Sequence, residues 1–273
     1  MTGMIRITRR RTLKMGAAAL LAAGLWPGSL LAGDAAADGD FTFIVVNDLH
    51  YFDDQCGPFF QKAIRQMKQT EGGPEFCLVA GDLAEDGKPS QLAAARDLLR
   101  ELKIPVHVVV GNHDYLPAGD RVAYEDLFPR SLNYSFEHRN WQFIGLDTTQ
   151  GRQGSKTTIQ KPTFDWLRDH LPALDRNKQT VVFTHFPLGW LLPSVPRNAE
   201  DFLDQFKNLN LKAIFSGHFH STTVRHHQEA VLTTNRCCSF HHANHDGTKE
   251  KGYFVCRVKD GKLSREFVEV KLG

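Results

Sequence analysis

The chain lacks a marked excess of charge of either sign. Its 273 residues include 33 lysines and arginines against 31 aspartates and glutamates, a formal net charge of +2. Residues 1–37 contain five of the basic residues and one acidic residue, so the remainder carries a formal charge of −2. Binding of nucleic acid requires a basic surface field. We therefore expect no nucleic-acid partner.

The chain also lacks an unbroken apolar run that would span a membrane comfortably. The weakly apolar stretch 16–32 is interrupted by proline and glycine, and it follows the basic segment Thr8–Lys14. This order resembles a twin-arginine export signal, with Thr12 where phenylalanine is more usual. We expect the twin-arginine export machinery to deliver a periplasmic or secreted protein, cleaved after Ala37 and without a stable membrane anchor. An uncleaved anchor or a basic disordered tail is the alternative.

Cysteine is scarce, and its number is odd: the chain has five. If the chain is oxidised after export, at least one cysteine is free or paired between chains. Cys77 lies in a strand-like run, where we expect it to pack as a small apolar side chain. Cys237 and Cys238 could form a vicinal bridge or remain two independent thiols. The other two cysteines are Cys56 and Cys256.

Internal repeats, low-complexity linkers and signs of a second domain are absent from residues 38–273, which we interpret as one domain. The spacing of apolar residues predicts helices near 57–70, 89–102, 120–128, 161–171 and 198–208. Paired strands are predicted at 133–137 and 141–146, and short strands near 222–226, 229–234, 252–258 and 263–269. Strands and helices thus alternate to about residue 216, as in an α/β fold.

Five polar clusters each follow an apolar run of the kind that forms a core strand. The runs are 41–46, 76–80, 106–110, 181–183 and 213–215, and the clusters are Asp48-Leu49-His50, Gly81-Asp82, Gly111-Asn112-His113-Asp114, Thr184-His185 and Gly217-His218-Phe219-His220. Open α/β sheets place their chemistry at the carboxyl ends of strands. If these strands lie side by side, all five clusters meet along one edge.

The donors in these clusters are carboxylates, one amide and imidazoles, without cysteine. Such a set suits borderline divalent or trivalent ions such as Mn, Fe, Zn or Co, and not a thiolate zinc site. No serine or cysteine nucleophile is signalled. Each histidine taken alone could simply cap a strand end, but their joint occurrence favours a metal site.

The order D-x-H, GD, GNHD, a single His and GHxH resembles the calcineurin-like metallophosphoesterase superfamily, over about residues 41–225. The resemblance implies an α/β fold in which a two-sheet β-sandwich is flanked by helices on both outer faces. It also implies two metal ions and a small phosphate-ester substrate. Two close cations neutralise the phosphate oxygens and lower the pKa of a water for in-line displacement.

The resemblance further implies which side chains bind each ion. One ion is held by Asp48, His50 and His220, and the other by Asn112, His185 and His218. Asp82 bridges the two ions, because a carboxylate can bind through both oxygens. Each ion then keeps positions for water and substrate, as a catalytic metal must.

The GNHD segment supplies the remaining predicted roles. Asn112 and His113 are expected to contact the substrate, and His113 to protonate the departing oxygen or to orient the phosphate. Asp114 is expected to hold the ring of His113. The alternative for Asp114 is a turn or helix cap before Tyr115.

One departure narrows the subfamily. In purple acid phosphatases a tyrosine ligand follows three residues after the bridging aspartate, whereas here that place is taken by Glu85. The pattern is therefore closer to the bacterial phosphodiesterases, which include cyclic-nucleotide hydrolases. Glu85 and Asp86 are expected to cap or solvate the loop before Lys88.

A second group of histidines lies at His241-His242-Ala243-Asn244-His245, before Asp246. We expect a solvated polar loop. The alternative is a loop that overhangs the metal ions and contacts the substrate.

The sequence as a whole predicts an exported, metal-dependent phosphohydrolase acting on phosphodiesters, cyclic nucleotides among them, or on phosphomonoesters. One alternative is a hydrolase of pyrophosphate or sugar-nucleotide linkages. The other is a non-catalytic protein that binds metal or phosphate. The physiological ester, the metals bound and the oligomeric state do not follow from the sequence.

Overall fold

The computed structural model describes residues 39–271. The predicted export signal, residues 1–37, lies outside the described residues. None of the helices within residues 39–271 combines the length and the apolarity that a bilayer crossing needs.

Five helices lie close to their predicted positions, and proline in the first turn favours the start of several of them. They are α1 (Gly57–Lys68), α2 (Pro89–Arg100), α3 (Val122–Leu127), α4 (Lys161–His170) and α5 (Ala199–Asp204). Short 3₁₀ turns occupy Asp54–Cys56, Asn112–Asp114 and Leu171–Ala173. The last predicted helix, 198–208, is shorter than expected and ends at Asp204.

Eleven strands are described. They are β1 (Phe41–Val46), β2 (Phe76–Ala80), β3 (Val106–Val109), β4 (Tyr134–His138), β5 (Trp141–Leu146), β6 (Gln179–Thr184), β7 (Asn210–Ser216), β8 (Thr223–His227), β9 (Ala230–Thr234), β10 (Gly252–Lys259) and β11 (Lys262–Glu269). They form a five-stranded sheet in the order β11-β10-β1-β2-β3 and a six-stranded sheet in the order β4-β5-β6-β7-β9-β8.

The two sheets pack face to face through aromatic side chains. Phe43 of the first sheet stacks on Phe76 at 5.0 Å between ring centroids and meets Phe143 and Phe215 of the second sheet edge-on at 5.6 and 6.4 Å. Alternate residues of each strand point outward. Ile44 therefore packs under α1 and α2, whereas Ile144 packs under α4 and α5. The predicted two-sheet sandwich with helices on both outer faces is confirmed.

The polar clusters do not meet along the edge of one sheet, as the sequence had led us to expect. Three follow β1, β2 and β3 of the first sheet, and two follow β6 and β7 of the second. Within each set the strands are parallel, so their carboxyl ends point the same way. The clusters face one another across the end of the sandwich, because each sheet buries its inner face against the other.

The five cysteines, all within residues 39–271, are buried and unpaired. Cys77 packs inside β2, as predicted. Cys237 and Cys238 are two separate thiols, which corresponds to the simpler of the two alternatives.

Candidate metal centre

Five of the predicted metal ligands have left-handed backbone conformations that side chains other than glycine seldom adopt. The φ angles are 53° at Asp48, 46° at His50, 52° at Asp82, 63° at His218 and 43° at His220. Such residues cost free energy and persist where the surrounding structure over-determines them. Five of the thirteen non-glycine residues with positive φ within residues 39–271 thus lie in three loops at one end of the sandwich, a pattern typical of a functional site.

The first predicted group surrounds the loop after β1. Nε2 of His50 lies 3.2 Å from Nε2 of His220 and 3.5 Å from Oδ2 of Asp82. Nε2 of His220 lies 3.5 Å from Oδ1 of Asp48. All four side chains are buried, so their donor atoms face one another and not solvent.

The second group lies beside the first. Oδ1 of Asn112 is 2.9 Å from Nε2 of His185 and 3.0 Å from Nδ1 of His218. Nε2 of His185 is also 3.3 Å from Oδ2 of Asp82. The structure thus brings all seven predicted ligands together in the two predicted sets. Their role as ligands is a prediction that metal analysis would test.

Asp82 is shared between the groups. Its Oδ2 faces His50 on one side and His185 on the other, and its Oδ1 accepts a hydrogen bond of 2.8 Å from the backbone N–H of His113. Gly111 lies against this carboxylate: a Cβ there would come within 2.1 Å of Oδ1 of Asp82. The glycine of GNHD is required by this close approach.

Each of the four histidines directs one nitrogen into the cluster and uses the other on an oxygen atom outside it. The outer nitrogens of His185, His218 and His220 lie 3.0, 2.8 and 3.3 Å from backbone carbonyls, to which they donate. The carbonyls belong to Ala80, Gly154 and Ala243. Nδ1 of His50 lies 3.0 Å from Oε2 of Glu85, off the line of an ideal hydrogen bond. Metal-binding histidines show this same division between their two nitrogens.

The charges of the buried groups compensate one another. Burial raises the pKa of Asp82, but His185 and His50 outweigh it and hold that pKa well below its usual range. Burial lowers the pKa of His185, yet Asp82 raises it to about 9. In the same way Asp48 outweighs burial and raises the pKa of His220 to about 11. The buried carboxylates therefore stabilise positive charge on the imidazoles beside them.

These observations fit a pair of borderline cations. Two pairs of imidazole nitrogens face each other at 3.2 and 3.3 Å. A cation placed between such nitrogens gives both lone pairs a partner. The donor set of imidazole, carboxylate and amide is of the kind that Mn, Fe, Zn and Co accept.

His113 stands beside the centre. Its ring Nδ1 donates to the carbonyl oxygen of Glu85 at 2.8 Å, and the Glu85 carboxylate lies 3.6 Å away. This contact uses Nδ1 and leaves Nε2 as the ring nitrogen that is not bonded to Glu85. The ring meets that of His50 edge-on at 4.7 Å between centroids, next to the first group.

The prediction that Asp114 holds the ring of His113 is wrong. Both oxygens of this buried carboxylate are used by the backbone: Oδ1 accepts from Ala84 N–H at 2.9 Å and Oδ2 from Gly111 N–H at 2.8 Å. Burial and the neighbouring Asp82 raise the pKa of Asp114 to about 8. Asp114 braces the loops that follow β2 and β3, which corresponds to the turn-or-cap alternative.

The prediction that Glu85 caps or solvates its loop is also wrong. Oε2 of Glu85 lies 2.6 Å from Nε2 of His242, in addition to its contact with His50. His242 stacks on His50 at 3.8 Å between ring centroids. The second histidine loop therefore overhangs the predicted metal site through His242, which corresponds to the first part of the alternative interpretation, and its contact with the substrate stays a prediction. In the sequence, the only signals for these contacts of Glu85 and His242 are the position of Glu85, three residues after Asp82, and the clustering of histidines.

A family model described as calcineurin-like phosphoesterase matches residues 41–222. The chain belongs to this family. The resemblance inferred from the five motifs is thereby confirmed. So is the enzyme class, a phosphoric ester hydrolase of the metallophosphoesterase type.

Relatives of this metallophosphoesterase include a 3',5'-cyclic-nucleotide phosphodiesterase of Nostoc sp., 26% identical over 66% of this chain and 70% of that protein. A probable cyclic nucleotide phosphodiesterase of Psychrobacter arcticus is 26% identical over 74% of this chain and 82% of that protein. Among solved structures, a dimetal phosphatase of Danio rerio superposes with a TM-score of 0.62 at 15% identity. That match covers 85% of this chain and 96% of the other, and it supports the fold alone.

Proposed function

We propose that this metallophosphoesterase is an exported phosphodiesterase that hydrolyses small phosphodiesters, cyclic nucleotides among them, with two bound metal ions. The observation that carries the proposal is the pair of donor groups sharing Asp82, with His113 beside them. The names of the Nostoc and Psychrobacter relatives support a diester substrate. Glu85, in place of a tyrosine ligand, also points away from a purple acid phosphatase.

The two donor groups would hold the ions. When bound, the ions supply charge neutralisation for the phosphate oxygens and lower the pKa of a water for in-line attack. Asp82 faces both groups, and the amide of Asn112 would contact a phosphate oxygen as well as its ion. A nucleophilic serine or cysteine is not needed.

His113 is the group we assign to the leaving oxygen. To donate a proton from Nε2 while Nδ1–H bonds the Glu85 carbonyl, the ring must carry both protons. The Glu85 carboxylate lies 3.6 Å from Nδ1. The hydrogen bond to the Glu85 carbonyl fixes the ring orientation, so that Nε2 stays directed away from Glu85.

The presence of His113 also weighs against a non-catalytic binder. Binding of metal or phosphate needs the ligands but not a proton donor beside them. A pyrophosphate or sugar-nucleotide linkage is a second candidate substrate, because its leaving group is itself a phosphate and the same centre would serve.

A substrate panel tests the proposal. The purified protein would be assayed with aryl and alkyl phosphodiesters, phosphomonoesters, cyclic nucleotides and a sugar nucleotide, with Mn²⁺, Fe²⁺, Zn²⁺ or chelator. Chelator-sensitive hydrolysis with diesters preferred is the expected result. If no ester is hydrolysed in a chelator-sensitive way, the proposed enzymatic activity is refuted. Preference for the sugar nucleotide would favour the second candidate substrate.

Export through the twin-arginine machinery is part of the proposal, supported by the basic segment and the weakly apolar stretch in residues 8–32. Mass spectrometry of the protein from its native compartment would show the mature terminus. A chain beginning after Ala37 outside the cytoplasm is expected; an intact chain in the cytoplasm would contradict export.

A further inference from the structure

The loop that carries His242 is built into the fold. The His242 N–H donates to Oγ of Ser239 at 3.2 Å, and its carbonyl accepts from Nζ of Lys251. Asn244, which is buried, accepts from the N–H of Cys237 at 3.1 Å and donates to the carbonyl of Glu250 at 2.8 Å. The backbone on both sides of His242 is therefore held in place.

The ring of His242 also contacts two side chains. It lies on the face of His50, with ring centroids 3.8 Å apart and planes 21° from parallel. A single carboxylate oxygen, Oε2 of Glu85, lies 2.6 Å from Nε2 of His242 and 3.0 Å from Nδ1 of His50. Three side chains from three distant segments thus form one unit.

We propose that Glu85 and His242 clamp the ring of His50, so that its Nε2 is directed at the metal ion of the first group. Rotation of the ring about its Cβ–Cγ bond would break the contact with Glu85 and drive the ring into His242. The carboxylate lies beside Nδ1, so Nε2 is the ring nitrogen left to face a metal. Glu85 and His242 are positioning residues, because they act through His50.

The clamp rests on the proposed function only in placing a metal ion beside His50. Its test is the binding of Mn²⁺ to the metal-free full chain, measured by isothermal titration calorimetry. For wild type we expect two sites. In Glu85→Gln and in His242→Ala, the affinity of one site should fall about ten- to 100-fold, the usual effect of losing an outer contact to a ligand. The other site should be unchanged.

A conservative variant separates positioning from general packing. His242→Phe keeps a ring on His50 and leaves Glu85 free to contact Nδ1, so its affinity should stay within about threefold of wild type, well inside the range expected for loss of the outer contact. The visible absorption band of the Co²⁺-loaded protein should shift in His242→Ala and not in His242→Phe. His241→Ala is the matched control, because this neighbouring ring instead lies 3.7 Å from Asp53.

Equal affinity of wild type, Glu85→Gln and His242→Ala would overturn the clamp, as would a His242→Phe variant as weak as His242→Ala. Thermal unfolding of the metal-free proteins checks that each variant folds. If His242→Ala does not fold, the affinity of Glu85→Gln provides the test. Failure of the proposed function would look different: wild type would bind two Mn²⁺ ions and hydrolyse no ester.

Discussion

Replacement of His113 by alanine separates catalysis from metal binding. The bond to Oδ1 of Asp82 comes from the backbone N–H of residue 113, at 2.8 Å, and survives the substitution. The ring contributes no atom to either predicted donor set. We therefore expect His113→Ala to bind the same number of metal ions as wild type.

The loss of turnover should depend on the leaving group. A positioned general acid contributes about 10² to 10⁴-fold in rate, or about 3 to 5 kcal/mol of barrier at 1.36 kcal/mol per factor of ten. An alkoxide needs that proton in order to depart. A 4-nitrophenolate does not, because it is a stable anion. The kcat of His113→Ala should fall by about 10² or more with an alkyl diester and by less than about tenfold with bis(4-nitrophenyl) phosphate.

The assay compares kcat for both esters together with the metal content of the same preparations. Collapse of the metal content would show that His113 supports the centre and is not the proton donor. An equal loss for both leaving groups would refute proton donation and leave orientation of the phosphate as its role.

The remaining predictions concern the bridging carboxylate, a close approach and acid stability. Asp82→Ala should remove both ions, because Asp82 faces both donor groups, and elemental analysis would show this. Gly111→Ala should do the same and lower the melting temperature, because the new Cβ meets Asp82 at 2.1 Å. Burial and the nearby His138 lower the pKa of His107 to about 4 from 6.5. His107 therefore binds a proton more readily in the unfolded chain than in the folded protein. As a result, His107 lowers the free energy of unfolding as the pH drops from 6.5 towards 4. His107→Phe should lessen that fall in urea unfolding.

Controls keep these outcomes interpretable. Asp86→Ala removes a carboxylate that pairs with exposed Lys88, and it should keep both ions. Gly57→Ala introduces a Cβ with no atom within 4 Å at a φ that alanine adopts readily, and it should not lower the melting temperature. If Asp82→Ala retains one ion, the prediction that Asp82 binds both ions is wrong. An unaltered pH slope in His107→Phe would show that His107 titrates alike in both states.

The amino-acid sequence was enough to place the core strands approximately and to predict the ligand set. The clusters at Asp48, Asp82, Asn112, His185 and His218 each follow an apolar run, and both the runs and the motif order are local properties of the chain. Apolar runs were enough to place these strands, and the order of motifs was enough to indicate the family and its two-sheet fold.

Which side chains meet depends on the packing of distant segments. Glu85 and His242 are 157 positions apart, and they contact because a loop after one sheet crosses the end of the other. Asp114 has His113 as its chain neighbour, yet its carboxylate turns to the N–H groups of Ala84 and Gly111, which burial obliges it to satisfy. Local patterns report which residues are buried and in which element, whereas contacts between distant loops depend on how the two sheets pack.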